Sequence, residues 1–144
     1  MNEYSKFLCH TMSFLIPIMS NGQPPNGYDY EFTWVNEVPE GWRELFLEKC
    51  IRLSDILDCD HSENEFRILE IKEKYGELRI YYTGAECVSE EIDKLFEEAR
   101  LESKYTCIQC GDINETSFSE KFGVPMCASC QEKLLAMNKV QKRG

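Results

Sequence analysis

The amino-acid sequence predicts an α+β protein in which helices pack on a small antiparallel β-hairpin or sheet, followed by a compact cysteine-rich module. Two patterns predict this class. Apolar residues recur three and four positions apart in three segments of the first 104 residues, which indicates helices with one buried face. Around Gly76, two short stretches alternate apolar and polar residues, which indicates a pair of strands.

The first predicted element is a helix over residues 3–16, which Pro17 ends or kinks. Its apolar stripe is expected to face the core and comprises Tyr4, Phe7, Leu8, Met12, Leu15 and Ile16. After a turn-rich loop, four aromatic residues alternate with polar ones, namely Tyr28, Tyr30, Phe32 and Trp34. This alternation predicts a half-buried strand or an extended arm.

A second helix is predicted over residues 36–58, with Pro39 near its start and one apolar stripe along it. Two strands are then predicted over residues 66–72 and 78–83, with a tight turn at Gly76 between them. Ser89 is expected to cap a third helix, with Glu90 and Glu91 in its first turn and a buried stripe from Ile92 to Ala99.

The charge is unevenly distributed along the chain. Residues 1–104 carry 22 acidic and 11 basic side chains, whereas residues 105–144 carry 4 acidic and 5 basic ones. We therefore divide the chain into an acidic α+β body, residues 1–104, and a metal-binding module with a C-terminal helix, residues 105–144. A protein that binds duplex nucleic acid normally presents a basic face, so this balance disfavours nucleic acid and fits a basic protein surface better.

Four cysteines in the module form two C-x-x-C pairs, Cys107 with Cys110 and Cys127 with Cys130, separated by sixteen residues. This spacing is typical of a Cys₄ zinc site of the ribbon or knuckle kind. Four thiolates suit tetrahedral Zn²⁺ and leave no open position, so the predicted cofactor is a structural zinc ion. The segment between the pairs is long enough for a short hairpin, and a helix is predicted over residues 131–140. Redox pairs, disulfides and rubredoxin-like iron are the alternatives.

No catalytic constellation is predicted. A zinc deaminase would need an H-x-E unit and a P-C-x-x-C unit, and the chain offers His61 with Glu63 and Pro125 with Cys127. Met126 separates that proline from the cysteine, and such a site would leave Cys107 and Cys110 unused. The other cysteines have simpler interpretations: Cys9, Cys50 and Cys87 are expected in the core, and Cys59 is expected to be an exposed loop thiol.

The run from Ile71 to Tyr82 (IKEKYGELRIYY), with the upstream P-x-G-W unit and the downstream cysteine pairs, resembles a family of small uncharacterised proteins of bacteriophages and prophages. Its members carry a K-[FY]-G-x-L-R-[FIV]-Y hairpin followed by a helix and a zinc knuckle pair, and many have histidine as the last ligand, where this chain has Cys130. The resemblance spans roughly residues 38–130. It implies a phage or prophage setting and a bound zinc ion, and no defined activity.

Basic residues of the hairpin lie beside two tyrosines, and together they form a possible partner-binding surface: Lys72, Lys74, Tyr75, Arg79 and Tyr81. Arginine and tyrosine are enriched at interface hot spots, although cross-strand pairing with neighbouring glutamates on an exposed sheet face explains the same pattern. The residues favour a non-catalytic, zinc-stabilised factor that binds another protein, and the resemblance implies that this partner is a host or defence protein. A nucleic-acid-associated, transcription-type regulator with a zinc ribbon is the alternative, and a deaminase-like enzyme is the third.

A cytoplasmic location is expected, in the host if the protein is phage-encoded. The apolar stretch over residues 7–19 is too short to span a bilayer and lacks the features of an export signal, so we expect no membrane association. Paired cysteines with metal-ligand spacing also fit a reducing compartment.

Overall fold

The computed structural model describes residues 2–59 and 65–143 and confirms the α+β class. Within these residues the helices are α1 (Asn2–Thr11), α2 (Arg43–Cys59), α3 (Ser89–Ser103) and α4 (Ala128–Arg143). The strands are β1 (Arg67–Lys74), β2 (Glu77–Thr83), β3 (Thr116–Ser119) and β4 (Val124–Cys127). They form two separate antiparallel hairpins, β1–β2 and β3–β4.

The first helix is shorter than predicted. It ends at Thr11, and a single 3₁₀ turn over Ser13–Leu15 follows, because Met12 leaves the helical region at φ −132°. This break directs the consecutive side chains of Phe14 and Leu15 into the core. The expectation that Tyr4 and Phe7 face the core is wrong, since 59% and 65% of their surfaces are exposed.

The predicted strand or arm over residues 28–34 is also wrong. Tyr30 adopts a positive φ of 66°, which breaks an extended run. Thr33 then caps a 3₁₀ turn over Trp34–Glu37, because its hydroxyl accepts a hydrogen bond from the Val35 amide while the Asn36 side chain accepts one from the Thr33 amide. These local side-chain bonds satisfy the backbone in place of a sheet ladder.

The second helix begins later than predicted, at Arg43. Pro39 restricts Val38 to an extended conformation, so no helix runs through that position. A further 3₁₀ turn, Glu40–Trp42, then leads into the helix. The third helix begins at Ser89, and Val88 occupies the N-cap position without a side-chain hydrogen bond, so Ser89 is not the cap. Cys87 is exposed, contrary to the core position expected for it, whereas Cys9 and Cys50 are buried and Cys59 is exposed as predicted.

The β1–β2 hairpin has the predicted tight turn. Lys74 pairs with Glu77 across it, and Tyr75 and Gly76 both have positive φ, at 55° and 80°, which is the pattern of a type I′ turn. A register shift between Ile68 and Glu70 inserts one extra residue in β1. The bulge allows Ile68 and Ile71, three residues apart, to be buried on the same inner face.

A buried lysine joins the two long helices of the body. The Lys49 side chain on α2 is only 2% exposed, and its Nζ lies 2.7 Å from a Glu102 carboxylate oxygen on α3. Arg52 pairs with Glu98 in parallel, at 2.7 Å. Because α2 also packs its apolar stripe against α3, the ion pairs fix the relative position of two helices that the core already holds together.

Ser103, fully buried at the end of α3, connects that helix to β2. Its hydroxyl accepts a hydrogen bond from the Leu78 amide at 2.9 Å and donates one to the Arg100 carbonyl at 2.6 Å. We expect Ser103→Ala to lower the free energy of unfolding by about 1–3 kcal/mol, because the substitution leaves the buried Leu78 N–H without a partner. Urea denaturation measures this; an exposed control, Ser117→Ala, should change stability by less than about 0.5 kcal/mol. Equal effects of both substitutions would contradict the assigned role.

Candidate metal centre

The first cysteine pair lies on a tight turn just after α3. Cys107 and Cys110 are brought to the same side of this turn, which is closed by a 2.9 Å hydrogen bond from the Gly111 amide to the Cys107 carbonyl. Gly111 has a φ of +85°, a conformation that glycine adopts at little cost. The Cys107 amide donates to the Asp112 carbonyl at 2.8 Å, so the chain folds back on itself around the first sulfur.

The second pair lies where β4 meets α4. Cys127 is the last residue of β4, and Cys130 lies in the first turn of α4. Residues three apart at the start of a helix point the same way, so both sulfurs reach one point. Pairing of Cys127 with Thr116 fixes the end of β4, and the Gln131 side chain donates to the Met126 carbonyl at 3.0 Å.

The four sulfurs form one cluster, in which all ligand atoms lie within 4.8 Å of one another. The Sγ atoms of Cys110 and Cys127 are 3.7 Å apart. Zn–S bonds of ~2.3 Å in a tetrahedron place neighbouring sulfurs ~3.8 Å apart, whereas a disulfide needs ~2.05 Å. All four cysteines are free thiols with a spacing that could hold a single metal ion, and the donor set is consistent with zinc.

The surroundings of the cluster favour thiolate at one sulfur and oppose it at another. Burial works against ionisation of Cys107, but backbone amides of Cys127, Cys110 and Gln109 donate to its sulfur and lower its pKa to about 7. The pKa of Cys130 is raised, first by burial and then by the neighbouring cysteines. Four thiolates at this separation repel one another unless a cation lies between them, so metal binding and full ionisation are coupled.

The module docks on the body through Gly41 and Trp42. The Gly41 amide donates to the Ile108 carbonyl at 2.9 Å, and the Trp42 indole N–H donates to the Thr106 carbonyl at 2.9 Å. The docking is close: a Cβ atom on Gly41 would overlap the carbonyl oxygen of Cys107 and lie 2.5 Å from the carbonyl carbon of Ile108. Backbone of the first cysteine turn therefore rests directly on backbone of the body.

The described residues form two hydrophobic cores, and Ile108 packs against both. The larger core belongs to the body and includes Trp42 and Phe46, and the smaller one surrounds the buried cysteines and Met126. A second contact lies at the tip of β1–β2, where a Cβ on Gly76 would lie 3.0 Å from the Phe118 ring of the module. The cysteine cluster is thus connected to the body on two sides.

The residues of the possible partner-binding surface lie along the β1–β2 hairpin and its turn. Lys72 and Arg79 are cross-strand partners, and Tyr81 pairs with Glu70. The Lys72 Nζ lies 5.4 Å from the centroid of the Tyr81 ring, and the Lys74 Nζ lies 5.7 Å from that of Tyr75.

Arg79 differs from the other four members of this surface. Its guanidinium forms a 2.7 Å ion pair with Glu77, and its Nε is buried without a hydrogen-bond partner among the described residues. Glu77 also binds Arg100 of α3 at 2.9 Å. The Arg79 charge is therefore largely neutralised within the chain, and the surface depends on its lysines and tyrosines.

The described residues do not assemble the site that the deaminase alternative requires. His61 and Glu63 lie outside the described residues, and Cys107 and Cys110 belong to the same cluster as Cys127 and Cys130. The remaining buried thiols have raised pKa values, Cys50 because of burial and Cys9 because burial outweighs a hydrogen bond with Tyr28. Both are expected to remain neutral thiols near pH 7.

Sequence reasoning missed the residues that join the module to the body. Gly41 was part of a recognised P-x-G-W unit, but its role as a backbone contact depends on Cys107 and Ile108, more than sixty positions away. The sequence offered one signal, a glycine between Pro39 and a tryptophan at the start of a helix. Alanine at such a position would normally favour the helix more than glycine does.

No family model, curated protein or solved structure matches this chain, and the resemblance to a phage and prophage family therefore stays an expectation. Among residues 2–59 and 65–143, no helix combines the length and the apolar character that crossing a bilayer requires.

Proposed function

We propose that this chain is a non-catalytic protein-binding factor whose C-terminal module is folded around one structural Zn²⁺. Under this proposal the protein is encoded by a phage or prophage, is located in the cytoplasm of the bacterial host and acts on a host or defence protein. Two lines of support are independent of each other: the donor set of the metal cluster, and the conformation of one exposed tyrosine.

The cluster supports a structural ion because its four sulfurs are enough to fill every position of a tetrahedral zinc ion. A catalytic zinc keeps one position for water or substrate, whereas four thiolates fill all of them. Three of the four cysteines are buried, with 0%, 6% and 9% of Cys107, Cys127 and Cys130 exposed. Such a site contributes folding energy to a segment too short to hold a large apolar core.

Tyr75 is the observation that carries the binding proposal. Its side chain is 80% exposed at the tip of β1–β2, and its backbone has a positive φ of 55°. That conformation costs a residue with a Cβ roughly 1–2 kcal/mol, and type I′ turns favour Asn or Gly at this position. A large exposed aromatic residue in a strained turn is poorly explained by stability, and backbone strain of this kind clusters at functional sites such as active sites, ligand clamps and switch regions.

Two aromatic–cation pairs extend the surface away from Tyr75. Lys74 lies against the Tyr75 ring and Lys72 lies against Tyr81, which is 40% exposed. Tyrosine buries a large rigid area on binding at a small entropic cost, so this face offers anchors for a protein partner.

We expect Tyr75→Asn to stabilise the fold and to weaken partner binding. Unfolding free energy should rise by about 0.5–1 kcal/mol because Asn tolerates the left-handed conformation, and it is measured by urea denaturation. The partner is first isolated with tagged protein from the native host and identified by mass spectrometry. Its dissociation constant for the purified variant should then rise by about tenfold or more.

Tyr4→Asn is the matched control, because Tyr4 is also an exposed tyrosine but lies on α1. It should leave the dissociation constant within about twofold of that of the unaltered protein. A Tyr75→Asn protein that binds the purified partner as tightly as the original would contradict the proposal, and so would turnover of a substrate by the purified protein.

A further inference from the structure

An open groove runs between the start of α2, the end of α3 and the first cysteine turn. It has a volume of about 420 Å³, and it is lined by the body on two sides and by the metal-binding module on the third. Residues of all three elements contribute, including Glu44, Leu45, Glu48, Glu102, Tyr105 and Ile113. The groove therefore exists only while the module is docked on the body.

The groove has an apolar interior with no covering residue among those described. Tyr105 and Ile113 are 64% and 70% exposed, and both lie at the groove beside the half-buried Leu45. Gly41 and Gly111 also line it. Exposed apolar residues that converge on one concave site are typical of an interaction surface.

Three carboxylates surround this apolar interior. Glu44 and Glu48 lie one helical turn apart on α2, and Glu102 faces them from α3. The side chains of Glu48 and Glu102 remain 64% and 50% exposed, although each contacts the ammonium group of Lys49. Lys49 contacts two of these three carboxylates and its single charge offsets only one of them, so the groove keeps a net negative charge.

We propose that this groove binds a basic amphipathic segment of the partner protein. An aliphatic or aromatic side chain of that segment packs between Leu45, Tyr105 and Ile113, and flanking lysine or arginine side chains pair with the glutamates. The inference rests on the proposed function of a protein-binding factor and adds the class of segment that it takes. The negative charge of the groove favours a cationic chain. The apolar interior adds specific packing, which non-specific charge attraction to an acidic protein does not provide.

The test uses the full-length zinc-loaded protein and a synthetic fluorescent peptide in which lysines alternate with leucines at helical spacing. A second peptide has glutamate in place of every lysine. Binding is followed by fluorescence anisotropy at about 150 mM salt, where diffuse surface attraction is strongly screened. The lysine peptide should bind, and the glutamate peptide should bind at least about tenfold more weakly.

Three variants assign the binding to the groove. Glu44→Lys and Ile113→Ser alter its acidic wall and its apolar wall, and each should raise the dissociation constant of the lysine peptide by about tenfold. Glu120→Lys makes the same charge change on the β3–β4 turn, outside the groove, and should alter it by less than about twofold. In backbone amide spectra, the peptide should shift Glu44, Gly111 and Ile113.

Equal weakening by Glu44→Lys and Glu120→Lys would reduce the effect to general charge attraction and overturn the inference. Amide shifts confined to other parts of the molecule would overturn it as well. Tyr75 does not line the groove, so Tyr75→Asn should bind the peptide normally. The two experiments can therefore fail independently. A failure with the native partner counts against the proposed function, and a failure with the peptide counts against the groove.

Discussion

Removal of the metal is expected to unfold the module and to leave the body folded but less stable. The sulfurs lie in two turns that are held mainly by local hydrogen bonds and a small core around Met126. Without the ion, the clustered thiols no longer gain the ~10–16 kcal/mol that binding supplies in small structural zinc sites, so the short hairpin β3–β4 has little to stabilise it.

The body should respond through two hydrogen bonds that the 3₁₀ turn before α2 makes with the module. The amide of Gly41 donates to the Ile108 carbonyl, and the indole of Trp42 donates to the Thr106 carbonyl. Losing both is expected to lower the unfolding free energy of residues 2–104 by about 1–3 kcal/mol. Hydrogen exchange measured by mass spectrometry, before and after a strong chelator, should show full exchange in residues 105–130 and modestly faster exchange in α2.

Cys107→Ser should reproduce the effect of the chelator, because serine does not supply the thiolate that the site needs. The matched control is Cys59→Ser, which removes an exposed thiol outside the cluster. This variant should retain both the metal and the protection of residues 105–130 from hydrogen exchange. Protection that persists in residues 105–130 after complete loss of metal would show that the module does not depend on the ion.

Gly41→Ala is expected to have the second-largest effect. The added methyl group would overlap the Cys107 carbonyl oxygen and lie 2.5 Å from the Ile108 carbonyl carbon. Both obstacles are backbone atoms, so relief requires the module to separate from the body, which also breaks the Gly41 hydrogen bond. The expected loss of unfolding free energy is about 3–5 kcal/mol, in the range of severe packing errors.

Thermal and urea denaturation measure this loss, and the control is Gly22→Ala. Gly22 has a φ of +80° and nothing within 4 Å of an added Cβ, so alanine there introduces strain without a collision and should cost about 1–2 kcal/mol. The Gly41 variant should also lose the slow exchange of the Ile108 region while it retains its metal. Stability equal to that of the unaltered protein would mean that the docking contact is not formed.

Much of the body could be predicted because its signals are local. Helical spacing of apolar residues located α2 and α3, and alternation around Gly76 located β1 and β2. The aromatic run from Tyr28 to Trp34 was misassigned because alternation alone does not supply a neighbouring strand. There, the capping bonds of Thr33 and Asn36 favour a 3₁₀ turn.

The cysteine cluster could be predicted residue by residue because the spacing within each C-x-x-C pair constrains how its sulfurs converge. The role of Gly41, the fixing of Leu78 by Ser103 and the acidic groove could not, since each depends on residues far apart in the chain. Such contacts follow from tertiary packing. The exposure of Tyr4 and Phe7 has the same origin: the helical period shows one apolar face of α1 and does not show whether a partner element covers it.

X-ray absorption at the zinc edge, on protein purified without added metal, tests the central claim most directly. One zinc per chain with four sulfur neighbours at ~2.3 Å is the predicted result, and it should be unchanged by added anions because no coordination position is open. A first shell with fewer than four sulfurs, an oxygen or nitrogen ligand, or a purified chain that carries no zinc would contradict the account.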